Sequence, residues 1–216
     1  MTVDTTILTD PYIFVLDDVI SESECNRIIE KFNKDETYQG QVTGGINLDI
    51  KNSQDLCLCD SKLDWSKEDA LFEEIIGKGH IRYYDHLNGG SNFTFFTDPS
   101  VRHLYHPKSI INGKVIDTGY QIQRTEPGNG YVWHDDFTTC TRTGAVRYLT
   151  FILYLNTVEE GWTQFYNGNQ VSPKAGRLVF FPATWTYVHQ GYPPKQTKYI
   201  MTGWMHNLQD NNNGED

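Results

Sequence analysis

The chain has 216 residues, of which 38% are hydrophobic and 13% aromatic, so it is long enough and apolar enough to form a folded core. Its formal net charge of −10 argues against broad binding to nucleic acid or to an anionic membrane surface, because both partners need a basic footprint. No stretch is apolar for the length of a membrane span, and the N-terminus lacks the basic and apolar regions of a signal peptide, so we expect a cytoplasmic protein.

The N-terminal part of the sequence predicts a short strand followed by a helix. Residues 13–16 form a β-like apolar run. Ser21 and Glu24 have the spacing of a capping box, which predicts a helix with Ser21 as its N-cap and an end near Asn33. The apolar face of this helix recurs at helical spacing and consists of Cys25, Ile28, Ile29 and Phe32.

A second helix is predicted from Ser66 to Gly77, with Ser66 as its N-cap and Glu68 and Asp69 near its positive end. Its apolar stripe consists of Leu71, Phe72, Ile75 and Ile76. The segments 37–60 and 86–117 have a composition typical of turns, which predicts loops with short strands and a β-like island at 93–96.

From residue 118 onward, short β-like runs alternate with turn signals. Turns are indicated at Pro127-Gly128, Asn167-Gly168 and Pro193-Pro194. Several short strands at this spacing predict a mainly β fold, either a sandwich or a barrel, of which the jelly roll is one case. The runs are 120–124, 132–137, 147–156, 162–166, 177–182, 186–189 and 198–205.

The four cysteines are Cys25, Cys57, Cys59 and Cys140, and they show no spacing typical of a zinc site. Cys57-Leu58-Cys59 is a C-x-C motif without a second pair of cysteines. We therefore expect buried or surface thiols in a reducing compartment.

A His-x-Asp pair within the β-rich part of the chain is a candidate for metal binding. His134 and Asp136 are two residues apart, so in a strand they share a face, while Asp135 points away. A further histidine, His189, follows 53 residues after Asp136, and Lys198 lies nine residues beyond it. Two imidazoles and one carboxylate are the ligand set of non-haem Fe(II) sites with open coordination positions. A lone His-x-Asp is a weak signal, so the assignment depends on the surrounding sequence.

That surrounding sequence resembles the C-terminal part of the Fe(II)/2-oxoglutarate-dependent dioxygenases, in their prolyl-hydroxylase-like branch. The motifs are a Pro127–Tyr131 turn before the His-x-Asp, a strand ending in Tyr154–Asn156, a Gly176–Pro182 strand, a His189–Pro193 turn and a Lys198–Trp204 strand. The resemblance covers about residues 118–206. It implies a double-stranded β-helix (jelly-roll, cupin-like) core with supporting N-terminal helices. The chain would be one catalytic domain over 1–216, with a supporting region at 1–117 and a flexible tail at 207–216.

The resemblance also implies roles for individual residues. The ligands of iron would be His134, Asp136 and His189, and Lys198 would pair with the distal carboxylate of 2-oxoglutarate. Tyr154 is the best candidate for a hydroxyl partner of that carboxylate, and Thr202 is a weaker one. Tyr131, Arg147 and Trp204 would line the peptide channel. The alternatives are structural: a core tyrosine at Tyr154, solvent-facing positions for Lys198 and Arg147, and a partly structural Trp204.

The implied reaction is hydroxylation of a C–H bond with conversion of 2-oxoglutarate to succinate and CO₂. Fe(II), 2-oxoglutarate and O₂ would be the cofactors, with ascorbate as a reductant. The expected partner is a proline-containing peptide or protein, with neither nucleic acid nor membrane, and the chain would be a monomer or weak dimer. The loops at 37–60, 86–117 and 138–146 are candidates for a lid. The alternatives are hydroxylation of a free amino acid or another small molecule, and a non-catalytic cupin-like metal-binding module.

Overall fold

The structure of the protein is a computed structural model that describes residues 4–87, 114–117, 119–139 and 144–208. Within these residues the chain forms helices α1 (Glu22–Phe32) and α2 (Ser66–Leu87) and the 3₁₀ helix Leu58–Asp60. The described strands are β1 (Phe14–Leu16), β2 (Tyr38–Gln39), β3 (Gln54–Cys57), β4 (Lys114–Asp117), β5 (Gln121–Thr125), β6 (Tyr131–His134), β7 (Val146–Tyr154), β8 (Thr163–Phe165), β9 (Gln170–Val171), β10 (Arg177–Pro182), β11 (His189–Gly191) and β12 (Lys198–Leu208). Neither described helix has the length and apolar character needed to cross a membrane.

The strands form two antiparallel sheets. The major sheet has the order β1-β10-β7-β12-β5-β3-β2, and β4 also pairs with β12. The minor sheet has the order β6-β11-β8-β9. Apart from the pairs β2–β3 and β8–β9, neighbouring strands in these sheets are not consecutive in sequence, as the crossing connections of a jelly roll require. The predicted mainly β, jelly-roll fold is therefore confirmed.

Strand β7 shows how the major sheet divides the core into two layers. Leu149, Phe151 and Leu153 belong to the apolar cluster formed with the helices. Ile152 and Tyr154 belong to a second cluster, which includes residues of the minor sheet. Because successive side chains of a strand point to opposite faces, one sheet can pack against helices on one side and against the minor sheet on the other.

Helix α1 begins and ends as the sequence predicts. The Ser21 hydroxyl accepts a hydrogen bond from the backbone N–H of Glu24 at 3.2 Å, which is the N-cap contact of a capping box. Cys25, Ile28 and Phe32 are buried in the core.

Helix α2 begins at Ser66, but its predicted end at Gly77 is wrong, because the helix continues to Leu87. Ser66 lies in the first turn, and the carboxylate of Asp64 accepts its backbone N–H at 3.0 Å. The helix continues because its last two turns bury Tyr83 and Leu87 in the core, and this burial outweighs the poor helix propensity of glycine.

Each of the seven predicted runs from residue 120 onward overlaps a strand, although the bounds shift by up to three residues. The overlap is smallest for 186–189, where only His189 belongs to β11. The run 132–137 is shorter than predicted because β6 ends at His134, so Asp136 lies beyond the strand. The expected island at 93–96, nearly all of the loop 86–117 and residues 140–143 of the loop 138–146 lie outside the described residues.

Candidate active site

The central strands of the major sheet project alternate side chains into one cavity, between that sheet and the minor sheet. The register of β12 with β7 pairs Ile200 with Tyr154, Thr202 with Ile152 and Trp204 with Thr150. Because each of these pairs shares a face, their side chains meet on the inner side of the sheet. The residues of β7 and β12 that line this cavity of about 70 Å³ are Thr150, Ile152, Tyr154, Lys198, Ile200, Thr202 and Trp204.

Three candidate metal ligands meet at one end of the cavity. His134 and His189 are register partners on β6 and β11, which places the two imidazoles side by side. The Nε2 atom of His134 lies 3.9 Å from Oδ1 of Asp136, and the Nε2 atom of His189 lies 3.7 Å from Oδ2. One donor atom from each of the three residues lies within 4.8 Å of the others.

The hydrogen bonds of both histidines leave Nε2 available as a metal ligand. Nδ1 of His134 contacts the carbonyl of Val132 at 2.7 Å, and Nδ1 of His189 contacts the carbonyl of Tyr187 at 2.9 Å. A carbonyl only accepts, so each Nδ1 carries the proton and each Nε2 carries a lone pair. Burial and the neighbouring His189 lower the pKa of His134 to about 4, which keeps its imidazole neutral at pH 7.

Asp136 is held in its ionised form and in a fixed orientation. The Thr150 hydroxyl donates to Oδ2 of Asp136 at 2.7 Å. Burial raises the pKa of Asp136, but His189, His134 and hydrogen bonds from Thr150 and Trp204 hold it below its usual value. The two nitrogens and the carboxylate oxygen fit a facial two-histidine, one-carboxylate iron site.

The adjacent Asp135 does not join this cluster. It is exposed, and its Oδ1 accepts the backbone N–H of Phe137 at 3.0 Å. Asp136 is therefore the carboxylate that meets the histidines, as strand parity predicts, although β6 ends before it.

Lys198 lines the same cavity as a buried cation. It is 5% exposed, and its Nζ atom donates to the carbonyl of Gly161 at 2.7 Å. Burial lowers the pKa of Lys198 to about 8. Within the described part of the chain no carboxylate forms an ion pair with it, so its charge is available for an anionic ligand.

The two predicted hydroxyl partners are already hydrogen-bonded. The Tyr154 hydroxyl shares a 2.6 Å hydrogen bond with Thr163 and donates to the carbonyl of Val171 at 3.3 Å. The Thr202 hydroxyl donates to the carbonyl of Phe151 at 2.9 Å. Thr163 itself lines the cavity, and the sequence analysis missed it, although its place two residues before Phe165 on β8 could have indicated an inward-facing side chain.

The predicted substrate residues surround a wider groove of about 830 Å³ that shares walls with the cavity. The ring of Tyr131 stacks on the imidazole of His134, with centroids 3.5 Å apart. The guanidinium of Arg147 lies 3.8 Å from the ring centroid of Trp204. Tyr131, Arg147 and Trp204 all line the groove, so the structure brings together the three residues that the sequence grouped.

Lys51 is a site residue that the sequence analysis missed. It is 6% exposed, lines both the cavity and the groove, and lies 5.7 Å from the ring centroid of Tyr131. Its Nζ atom forms a 2.6 Å ion pair with Asp55, which also accepts a hydrogen bond from Ser53. Segment 37–60 carries only the composition of loops, so nothing in the sequence distinguished this lysine from a solvated one.

Fold and site together define an oxygenase built on a jelly roll. Residues 120–206 match the family model of the 2OG-Fe(II) oxygenase superfamily, and this range contains the three candidate ligands and Lys198. This match confirms the resemblance to 2-oxoglutarate-dependent dioxygenases found in the sequence over residues 120–206. A match to this family implies Fe(II), 2-oxoglutarate and O₂ as cofactors.

Solved structures share this fold at low sequence identity. The viral collagen prolyl hydroxylase vCPH from Paramecium Bursaria Chlorella virus-1, in complex with 2OG, is 20% identical with a TM-score of 0.60, over 92% of this chain and 97% of that chain. The Trichoplax adhaerens prolyl hydroxylase, in complex with a hypoxia inducible factor peptide fragment, is 16% identical with a TM-score of 0.63, over 93% and 86%. A Pseudomonas putida prolyl-4-hydroxylase is 17% identical with a TM-score of 0.56, over 92% and 93%. No curated protein sequence matches the chain significantly.

Proposed function

We propose that the protein hydroxylates a prolyl residue of a peptide or protein, using Fe(II), 2-oxoglutarate and O₂, with ascorbate as the reductant that keeps the iron ferrous. The observation that carries this proposal is the meeting of two imidazoles, one carboxylate and a buried lysine in one cavity, where the lysine forms no ion pair with any described carboxylate. A non-catalytic metal-binding module would have no need of the buried lysine, whose desolvation is costly without an anionic partner.

In this proposal His134, Asp136 and His189 are the iron ligands. The neutral imidazoles offer their Nε2 lone pairs, and the ionised carboxylate supplies the negative charge that a divalent cation favours. The backbone carbonyls of Val132 and Tyr187 fix the ring orientations, so the site requires little rearrangement to take a metal.

Lys198 anchors the distal carboxylate of 2-oxoglutarate. A charge-assisted hydrogen bond from Nζ would replace its present contact with the carbonyl of Gly161, and the negative charge of the ligand would favour the protonated lysine. A lysine is a point charge with little directional preference, so neighbouring hydroxyls are needed to orient the carboxylate. Thr163, backed by its hydrogen bond to Tyr154, is the best placed of these, and Thr202 lies on the same wall.

Bound Fe(II), 2-oxoglutarate and O₂ supply the oxidising power for an unactivated C–H bond, with release of succinate and CO₂. The residues of the chain orient the reactants and limit the access of water. Tyr131 covers one face of His134, and the indole of Trp204 lies close enough to Asp136 to affect its pKa, so both help to enclose the ligand set. Arg147 stacks on Trp204 and directs its charge into the groove, where a peptide carbonyl could accept from it.

The size of the groove supports a peptide as the substrate. At about 830 Å³ it lies at the upper end of small-molecule sites, and it is much larger than the adjoining cavity of about 70 Å³. Two of the similar structures are named as a collagen prolyl hydroxylase and as a prolyl hydroxylase bound to a peptide fragment. A free amino acid is the competing substrate.

The test is turnover of defined substrates by the purified protein with Fe(II), 2-oxoglutarate, ascorbate and O₂. Proline-containing peptide pools and free amino acids are supplied separately, succinate is quantified, and mass spectrometry locates the residue that has gained one oxygen atom. We expect peptide-stimulated succinate release and hydroxylated proline. Stimulation by free amino acids alone would overturn the peptide proposal, and absence of succinate with every substrate would overturn the catalytic one.

A matched pair of variants tests the ligand assignment. Asp136→Asn should abolish succinate release, because it removes the charge and one donor oxygen from the ligand set. Asp135→Asn changes the neighbouring acid in the same way but keeps an oxygen for the N–H of Phe137, so it should retain activity near that of the unmodified protein. Equal losses in the two variants would contradict the assignment.

A further inference from the structure

A second group of metal-binding side chains lies at the end of strand β3, apart from the His134 cluster. Cys57 is the last residue of β3, and Cys59 and Asp60 belong to the 3₁₀ helix that follows. The two thiol sulfurs and a carboxylate oxygen of Asp60 lie within 4.8 Å of one another. Cys57 is half-buried and the other two residues are exposed, so a cation can reach the group from solvent.

Hydrogen bonds hold the backbone of this segment in place. The backbone N–H of Cys57 donates to the Tyr38 hydroxyl at 3.1 Å, and that of Leu58 donates to the carbonyl of Tyr120 at 3.0 Å. The Ser61 hydroxyl donates to the carbonyl of Leu58 at 2.8 Å, which closes the 3₁₀ turn. With three residues per turn, this helix brings the side chain of Asp60 back toward that of Cys57. The three donors are therefore preorganised by the fold.

The surroundings of the three donors add a further acidic group. Cys57 and Cys59 also line a cavity of about 400 Å³, where Asp69 contributes a further carboxylate. Cys57 and Asp60 line the substrate groove from the other side.

We propose that Cys57, Cys59 and Asp60 form a binding site for a thiophilic divalent cation such as Zn²⁺, at the outer end of the substrate groove. Three protein ligands leave the fourth tetrahedral position open to water. Thiolates favour zinc and related soft cations, whereas the imidazole and carboxylate donors of the His134 cluster also suit harder ones, so the two sites differ in metal preference. A cation bound here would place positive charge at the entrance of a groove that contains Asp135 and Asp136.

Cadmium titration of the whole chain tests this site, because Cd²⁺ bound by thiolates gives an ultraviolet charge-transfer absorption that imidazole and carboxylate ligands do not give. We expect a saturable band that corresponds to one Cd²⁺ per chain. Cys57→Ser/Cys59→Ser should lose the band. Asp60→Asn should keep it but weaken the apparent affinity by about tenfold or more, since both thiolates remain while an anionic ligand is lost.

Two control variants separate this site from the other cysteines and from the iron site. Cys140→Ser removes a thiol elsewhere in the chain, and His134→Ala disrupts the iron site, and both should keep the full band. Cys59→Ser alone, at an exposed position, should reduce the band without unfolding the protein. A wild-type protein without the band in excess Cd²⁺, or a double-serine variant that keeps it at full strength, would refute the proposal.

Discussion

The hydrogen bond from Thr150 to Asp136 allows a direct test of how the candidate iron site is stabilised. Thr150 is 1% exposed, and its hydroxyl donates at 2.7 Å to Oδ2, the same oxygen that lies 3.7 Å from His189. Thr150→Val keeps the shape of the side chain but removes the donor, so a buried carboxylate oxygen loses its partner.

The expected loss of Fe(II) affinity in Thr150→Val depends on the charge of the hydrogen-bond acceptor, the Asp136 carboxylate. A hydrogen bond to a charged group contributes about 1.5–3 kcal/mol, and each 1.4 kcal/mol is a tenfold change in an equilibrium constant. The dissociation constant for Fe(II) should therefore rise by about 10- to 100-fold in Thr150→Val, which is also the typical effect of removing a group that orients a metal ligand.

The assay is an anaerobic calorimetric titration of metal-free protein with Fe(II), which gives the dissociation constant. Thr150→Ser is the matched control, because it retains the hydroxyl and should bind Fe(II) within a few-fold of the wild type. If Thr150→Val binds Fe(II) as tightly as Thr150→Ser does, the hydrogen bond does not orient the ligand and the reasoning fails.

Three further predictions concern the cosubstrate, the fold and the substrate. Burial lowers the pKa of Lys198 to about 8, so the lysine loses its proton as the pH rises through 8. The dissociation constant for 2-oxoglutarate, measured by calorimetry, should therefore rise over the same pH range. Lys198→Arg stays charged and should show no such rise. A Cβ at Gly79 would lie 2.7 Å from the ring of Phe180, so Gly79→Ala should lower the free energy of unfolding, measured in urea, by about 1–3 kcal/mol. A Cβ at Gly77 would meet no neighbouring atom within 4 Å, so Gly77→Ala should raise the free energy of unfolding by about 0.5–1 kcal/mol. Equal effects of the two substitutions would contradict the packing argument. Arg147→Lys should raise KM for a peptide substrate without changing peptide-independent succinate release, because lysine cannot reproduce the planar stack on the indole of Trp204. An unchanged KM would exclude a role for this stack in peptide binding.

Local periodicity and motif spacing were sufficient to predict much of the fold and of the site. The apolar spacing in α1 and the alternation of short strands after residue 118 are local patterns, so they predict secondary structure without knowledge of the tertiary structure. The predicted end of α2 at Gly77 was wrong, because the helix is extended by the tertiary burial of Tyr83 and Leu87. The low helix propensity of a glycine is a local property and carries no information about that burial.

The missed site residues have a common physical explanation. Thr163 shares a hydrogen bond with Tyr154, and Lys51 enters the site through its ion pair with Asp55 and its approach to Tyr131. Thr163 and Tyr154 lie on strands of different sheets, and Lys51 reaches Tyr131 through an isolated β-bridge across 80 residues of sequence, so both placements depend on the tertiary fold. Motif spacing predicts contacts where two residues lie on one strand or its extension, as His134 and Asp136 do. Spacing alone does not predict which side chains meet between different sheets.

The distribution of these residues along the chain separates the chemistry from the choice of substrate. The three candidate ligands and Lys198 lie within residues 120–206, the range that matches the superfamily. One wall of the groove instead comes from the segment before it, through Tyr38, Lys51 and Cys57. The reaction type is therefore encoded in the part of the chain that resembles other oxygenases. The N-terminal segment contributes a wall of the groove, so we expect changes at Lys51 to alter substrate selectivity more than 2-oxoglutarate turnover without a substrate.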